Sequence, residues 1–380
     1  IDEVLLSLFK SPHSYTGEDS IEIACHGSTY ILQKVMQELL SNGCRMAQPG
    51  EFTQRAFLNG KMDLSQAEAV ADLIASTNAA NHKLAINQMK GGFSKKLSQL
   101  RDQLLHLTSL MELELDFSDH EELEFADRSE LIGITQKAEE TISQLTASFK
   151  VGNAIKNGIP VAIVGETNAG KSTLLNTLLH EEKAIVSDIH GTTRDIIEDT
   201  TNLQGRIFRF IDTAGIRDTQ DVIESIGINR AIAQIQKSEI VLVVIDATTP
   251  NGIQHFKDNI LKYCLEKKWI LLINKADLLS EEQMEEYKAS ASELNPNYLF
   301  ISARTNQNID SLENLLVEIS QIPEISQNDV IVTNIRHYEA LCHAQEAINR
   351  VQKGLQTQLS GDFISQDLRE TIHHLSDIIG

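Results

Sequence analysis

The sequence predicts a multidomain protein: an α/β domain with a doubly wound, mostly parallel sheet, inserted in a helical domain and preceded by a partial small α+β module. Three observations carry this reading. Residues 157–323 alternate apolar strand-like runs with helical stretches, the pattern of a parallel sheet covered on both faces. The flanks, 61–156 and 324–380, have helical periodicity instead. Between the apolar run Ile159–Val164 and the helical run Thr173–Leu179 lies Gly165-Glu166-Thr167-Asn168-Ala169-Gly170-Lys171-Ser172, a glycine-bounded loop of G-x-x-x-x-G-K-[ST] spacing.

Composition bounds the rest. A chain of 380 residues, 41% apolar and 5% aromatic, holds two or three domains with their own cores. No apolar run approaches the roughly 20 residues of a bilayer span, and no signal peptide precedes the first element. Ile1 falls inside what reads as a working element, so a natural start upstream is expected. Cys25, Cys44, Cys264 and Cys342 are far apart and form no ligand cluster. They read as reduced cysteines of a cytoplasmic protein, with Cys25 and Cys44 as buried small residues. The net charge of -21 repels nucleic acid over most of the surface, so an RNA substrate needs a partner or a local basic patch.

Taken in order, residues 1–60 read as the partial α+β module, whose first strands are expected before residue 1. Ser20–Cys25 is strand-like, Thr29–Leu40 is helical, and Pro49-Gly50-Glu51-Phe52 is a turn. From Ser65 to about Leu115 the pattern is helical, with Leu97, Leu100, Leu104, Leu107 and Leu110 on one face. The acidic run with Asp119, Glu121, Glu122 and Glu124 reads as a solvated loop, and helix resumes from Arg128 to about Phe149. Strands are expected at Arg206–Ile211, Ile240–Ile245, Trp269–Ile273 and Tyr298–Ile301. Helices follow at about Asn334–Gly354 and Ser365–Ile379, with Asn157-Gly158 and Pro323 marking the crossings between domains.

The chemistry follows from the loops at the strand ends. The two glycines let backbone N–H groups converge on an anion, and the helix N-terminus adds its positive end. Lys171 can reach β- and γ-phosphates, and Ser172 can offer its hydroxyl to Mg²⁺. Nucleotide contacts are expected from Asn168 through Ala169, Gly170, Lys171, Ser172 and Thr173. Asn274-Lys275-Ala276-Asp277 names the base: the Asp277 carboxylate can accept from guanine N1 and its exocyclic amine, which adenine does not offer. Asn274 can bond loop and base edge, the Lys275 stem can lie along the ring, and Ser302-Ala303-Arg304 can close the pocket. Asp212-Thr213-Ala214-Gly215 can hold Mg²⁺ through water and sense the γ-phosphate. Gly191-Thr192-Thr193-Arg194-Asp195 lies in a first switch segment where Thr193 can ligate Mg²⁺. These are the parts of a Ras-like P-loop GTPase. One departure matters: Ile216 follows the D-x-x-G motif, and an aliphatic side chain cannot orient water. Asp218, Asp221 and Glu224 are the carboxylates that follow it.

With these residues in view, the chain resembles the MnmE/TrmE family of tRNA modification GTPases. The resemblance covers nearly the whole chain. In the front module it rests on Gly17–Glu22, His26-Gly27, Pro49–Leu64 and Gln66–Ile74. In the GTPase it rests on Asn168–Ser172, Asp188–Asp195 and Asp212–Arg217. It implies a homodimer joined through front modules that bind 5-formyl-tetrahydrofolate, a one-carbon donor, with Glu22 and Lys61 as contacts. Arg55 is either a neighbour of that ligand or a structural salt bridge. The resemblance also implies K⁺-stimulated GTP hydrolysis, with Asn168, Ser187, Ile189 and Thr192 around the ion and Asp188 and Thr193 beside the nucleotide. Lys171, Thr193 and Glu224 become the catalytic set, Glu224 orienting water. A flavoprotein partner of the GidA/MnmG type would supply FAD and most of the tRNA binding. Together they would install a carboxymethylaminomethyl or aminomethyl group on the wobble uridine. The family begins with a further stretch and ends in Cys-x-Gly-Lys, and this chain carries neither. Two rivals are a ribosome-assembly GTPase, opposed by the net charge and the front module, and a scaffold that no longer turns over, opposed by Lys171, Ser172, Thr193 and Asp212.

Overall fold

The computed structural model describes residues 1–116, 128–180, 199–211, 224–321, 329–357 and 359–380. The acidic residues Asp119, Glu121, Glu122 and Glu124 lie outside them, as does Pro323. The chain divides into two compact units, Ile1–Phe149 with Ile325–Gly380, and Lys150–Glu324.

In the first unit, β1 (Leu5–Phe9) and β2 (Ser20–Ala24) pair antiparallel, with Leu5 opposite Ala24 and Phe9 opposite Ser20. Sequence reading located β2 and expected the module's first strands before residue 1, without marking β1 as a strand. Helices Thr29–Ser41 and Glu51–Leu58 follow. The expected turn at 49–52 is therefore shorter: Gly50, at φ +80°, caps the helix that opens at Glu51. The stretch 65–115 breaks into helices Leu64–Ile74, Ala79–Met89 and Gly92–Asp116. Side-chain caps set the first two starts. Asp63 accepts from the Gln66 N–H in a capping box, and Asn78 accepts from the Asn81 N–H.

Leu97, Leu100, Leu104 and Leu107 are buried as their spacing predicted, against Leu131, Ile142, Leu145, Leu341, Ile348 and Leu368. The helix from Arg128 runs past Phe149 to Asn157 and stops at Gly158, whose φ of +84° suits a position just beyond a helix end. Helices Ile335–Gln356 and Gly361–Ile379 complete the unit. Glu68 binds Arg336 at 2.9 Å and His337 at 2.8 Å. Burial pushes the Glu68 carboxyl up, but His337 and Arg336 outweigh it and hold the group below the usual range. Cys25 is half-buried and Cys44 exposed, against the expectation of burial. The small front module buries few side chains, whereas burial of Cys264 in the larger α/β core pushes its thiol up to about 12.

The second unit holds a six-stranded sheet, among the described residues, in the order β4-β5-β3-β6-β7-β8. These are Asp199–Leu203, Arg206–Phe210, Ile159–Gly165, Ile240–Asp246, Lys268–Asn274 and Tyr298–Phe300. All neighbours pair in parallel except β4 with β5. That antiparallel pair turns through Gln204 at φ +51° and Gly205 at φ +82°, the mirror-image turn that matches strand twist. Sequence reading passed over β4, because Asp199-Thr200-Thr201-Asn202-Leu203 is too polar to read as a core strand. β6 is buried at every position, as a central strand covered on both faces must be. Strand order reverses around β3, which opens a crevice at the C-terminal edge of the sheet.

Candidate nucleotide-binding site

The phosphate loop leaves the C-terminal end of β3 and enters helix Lys171–His180. Its glycines are structural requirements. A Cβ on Gly165 would lie 2.1 Å from the Val244 carbonyl oxygen, and one on Gly170 would lie 2.1 Å from Asn274 Nδ2. Asn168 takes φ +65°, a region that asparagine tolerates. Ala169 is fully buried, while Thr167, Asn168 and Thr173 are exposed. Lys171 Nζ donates to the Gly165 carbonyl at 2.8 Å and the Glu166 carbonyl at 2.6 Å. Burial lowers its pKa, against the opposing pull of the Glu166 carboxylate. The ammonium thus stands at the loop, ahead of helix Lys171–His180, whose N-terminus carries the positive end of its dipole. This arrangement fits a polyphosphate. Helix Gly252–Asn259 supports the loop from the side, with His255 Nδ1 3.0 Å from Glu166 Oε1.

Asn274 joins the three loops of the site. It ends β7, is 2% exposed, and donates from Nδ2 to the Ala169 carbonyl at 2.8 Å. Its Oδ1 accepts from the Ala303 N–H at 3.0 Å. The amide thus spends one N–H on the phosphate loop and its oxygen on the closing loop, joining the two. Thr177 on the helix donates to the Ala303 carbonyl at 3.0 Å, and the Ala276 N–H donates to the Ile301 carbonyl at 3.1 Å. Ser302 and Ala303 are buried, whereas Asp277 and Arg304 are exposed. Asp277 sits in the short turn Ala276–Leu278 that Lys275 enters at φ +63°. Asn168, Ala169, Gly170, Lys171, Ser172, Asn274, Lys275, Asp277, Ser302, Ala303 and Arg304 all occupy loops or element ends at this one edge of the sheet.

Ser187, Asp188, Ile189, Thr192, Thr193, Asp212, Thr213, Ala214 and Gly215 lie outside the described residues. Glu224 opens helix Glu224–Lys237, and its side chain is outside what the structure describes.

Asp246 was missed by sequence reading. It ends β6, is 7% exposed, and binds Lys275 Nζ at 2.5 Å. An acid closing an otherwise apolar strand, one strand over from Asn274, was the available signal. Burial pushes its carboxyl up, but hydrogen bonds from Lys275 and Thr248 leave it below the usual carboxylate range.

In the front module Glu22 is exposed on β2, opposite Ser7. Lys61 is exposed and donates to the Pro12 carbonyl at 2.8 Å. Arg55 bridges Glu51 at 2.7 Å and Glu18 at 2.9 Å, which favours its structural reading.

Comparison with known proteins covers the chain end to end. Residues 1–61 match the family described as GTP-binding protein TrmE N-terminus, and residues 64–380 match the MnmE helical domain. The tRNA modification GTPase MnmE of Phocaeicola vulgatus is 64% identical over 380 residues, covering 100% of this chain and 76% of that protein. Its namesake in Parabacteroides distasonis is 61% identical over 381 residues, covering 100% and 82%. That of Flavobacterium johnsoniae is 51% identical over 385 residues, with coverage of 100% and 82%.

Proposed function

The chain belongs to the MnmE family of tRNA modification GTPases, and on that premise we propose that it hydrolyses GTP to switch its α/β domain during wobble-uridine modification of tRNA. The observation that carries the guanine reading is the double hydrogen bond of Asn274, which joins the phosphate loop to the 302–304 loop. Asp277, exposed in the turn that follows, reads the base edge.

Lys171 exchanges its loop carbonyls for β- and γ-phosphate oxygens, a swap of acceptors that keeps the ammonium paired throughout. Ser172, one residue into the helix, has the hydroxyl for Mg²⁺, with Thr193 and Asp212 as the switch-side contributors. Asn168 is exposed at positive φ on the loop crest, which suits its amide oxygen to a monovalent cation shared with Ser187, Ile189 and Thr192. A K⁺ held there would supply positive charge beside the phosphates. Glu224, at the start of its helix, orients the attacking water in place of the side chain that Ile216 cannot provide.

The front module is read as the folate site and the dimer contact. Leu5, Leu8, Ile21 and Tyr30 are each more than half exposed there, a density of apolar surface that favours a second copy. Glu22 offers acceptors to pterin N–H donors, and the Lys61 ammonium offers a donor. A net charge of -21 leaves most tRNA contact to a flavoprotein partner that brings FAD. No described helix is long and apolar enough to cross a membrane, and we place the reaction in the cytoplasm.

GTP turnover measured in K⁺ against Na⁺ tests the reading. Turnover is expected to be faster in K⁺ by roughly tenfold or more, since one preorganised transition-state contact supplies at least that. Equal rates would remove the cation, and no turnover with either ion would remove the hydrolase. The front module has its own test in calorimetry with 5-formyl-tetrahydrofolate. A Glu22→Ala, Lys61→Ala double variant is expected to bind about tenfold or more weakly, from the loss of two charged hydrogen-bonding groups. Unchanged affinity would refute the assignment.

A further inference from the structure

Lys275 is held by a carboxylate that no role described so far requires. Asp246 and Asn274 face each other in the β6–β7 register, so Lys275 begins one residue beyond the strand pair. Asp246 is fixed on both oxygens. Oδ1 accepts from the Thr248 N–H at 2.9 Å and its hydroxyl at 2.6 Å, and Oδ2 accepts from Lys275 Nζ at 2.5 Å. The turn that follows is fastened from helix Glu281–Leu294, where the Tyr287 hydroxyl donates to the Ala247 carbonyl at 3.1 Å. An acceptor 7% exposed and locked by its own turn holds a lysine whose side chain is 34% exposed.

We propose that Asp246 is a positioning residue of the base pocket, holding the Lys275 stem in place as a ready-made shelf for the guanine ring. The proposal rests on the guanine-nucleotide reading above. It assigns adjacent residues separate duties: Asn274 ties the loops together, Asp246 immobilises Lys275, and Asp277 chooses the base. A free lysine loses its rotamer freedom when a ring stacks along it, and immobilising one such side chain on binding costs roughly 2- to 12-fold in affinity. With Asp246 in place, that ordering is complete before nucleotide arrives.

The test is a double-mutant cycle read with GDP and inosine diphosphate, which lacks the exocyclic amine. Asp246→Asn keeps an oxygen for the Thr248 turn but removes the charge that holds Lys275. It is expected to weaken both ligands by the same factor, about 2- to 12-fold. Lys275→Met keeps the stem and frees it, and should lose a similar factor whether or not Asp246→Asn folds well. In the Lys275→Met background, Asp246→Asn should change affinity by less than about twofold, because nothing remains to be held. Asp277→Asn, by contrast, should collapse the preference for GDP over inosine diphosphate. Wild-type affinity in either single variant would overturn the proposal. So would equal losses from Asp246→Asn in both backgrounds, which would assign Asp246 to its turn alone. Wild-type protein that binds ADP as well as GDP would overturn the guanine reading itself, and the proposal with it.

Discussion

Glu224→Ala is expected to lower the rate of GTP hydrolysis by about 10²–10⁴-fold while leaving nucleotide affinity nearly unchanged. Ile216 sits where many GTPases carry a water-orienting amide, and its aliphatic side chain has neither donor nor acceptor. A carboxylate from elsewhere must align the nucleophile, and Glu224 is the first residue of helix Glu224–Lys237. Its contact would form mainly in the transition state, so its removal reduces kcat and spares binding. The competing assignment gives this task to Asp218 or Asp221 and leaves Glu224 as a favourable charge at a helix N-terminus, worth well under 1–2 kcal/mol. Single-turnover hydrolysis in K⁺, with affinity for a fluorescent nucleotide measured in parallel on the three alanine variants, separates the two. Near wild-type hydrolysis by the Glu224 variant would end the proposal.

Asn274→Ala is expected to be the most damaging single change in the nucleotide site, and to act on the fold as well as on binding. The amide is 2% exposed and satisfies the Ala169 carbonyl and the Ala303 N–H together. Alanine leaves both buried partners unpaired at about 1–3 kcal/mol each, a large fraction of a domain stability of about 5–15 kcal/mol. For a unit of this size that is a fall in melting temperature of about 4–24 °C. The phosphate loop also loses the contact that holds it to the base-reading loop, so GDP affinity should fall by about tenfold or more. Asn274→Asp makes a sharper version. It keeps an acceptor for the Ala303 N–H but turns a second acceptor toward the Ala169 carbonyl, and it should be no better than alanine. Thermal unfolding with and without GDP reads both effects. An alanine variant with unchanged melting and unchanged affinity would mean that the two loops are held by other contacts.

These two cases differ in how far sequence could anticipate them. The Glu224 assignment comes from a gap at Ile216 and a family resemblance, with no geometry behind it. The Asn274 argument is geometric throughout. Sequence reading offered Asn274 two partners, loop and base edge, and the structure supplies the loop partners, the Ala169 carbonyl and the Ala303 N–H. Arg55 was left between ligand and salt bridge, and the structure supplies Glu18 and Glu51. Cys44 was expected inside and lies outside, since residue type predicts burial only where there is a core large enough to enter.

The sequence by itself determined the features set by short spacing along the chain. The phosphate loop follows from two glycines and a lysine between a strand and a helix. The base-reading loop follows from four residues after an apolar strand, and the buried stripe Leu97–Leu107 from a period of three and four. Each depends on residues a turn or two apart, where covalent geometry and local hydrogen bonding leave little choice. Only the tertiary structure decided the partnerships across long stretches of chain. It paired the polar strand β4 antiparallel against β5, because a twisted edge accepts such a strand when its turn fits. It brought Asn274 to Ala169 across 105 residues, Lys275 to Asp246 across 29 and Arg336 to Glu68 across 268. Hydrogen-bond capacity is written in the residue type, but the partner that fills it is chosen by which strand ends and helices pack together.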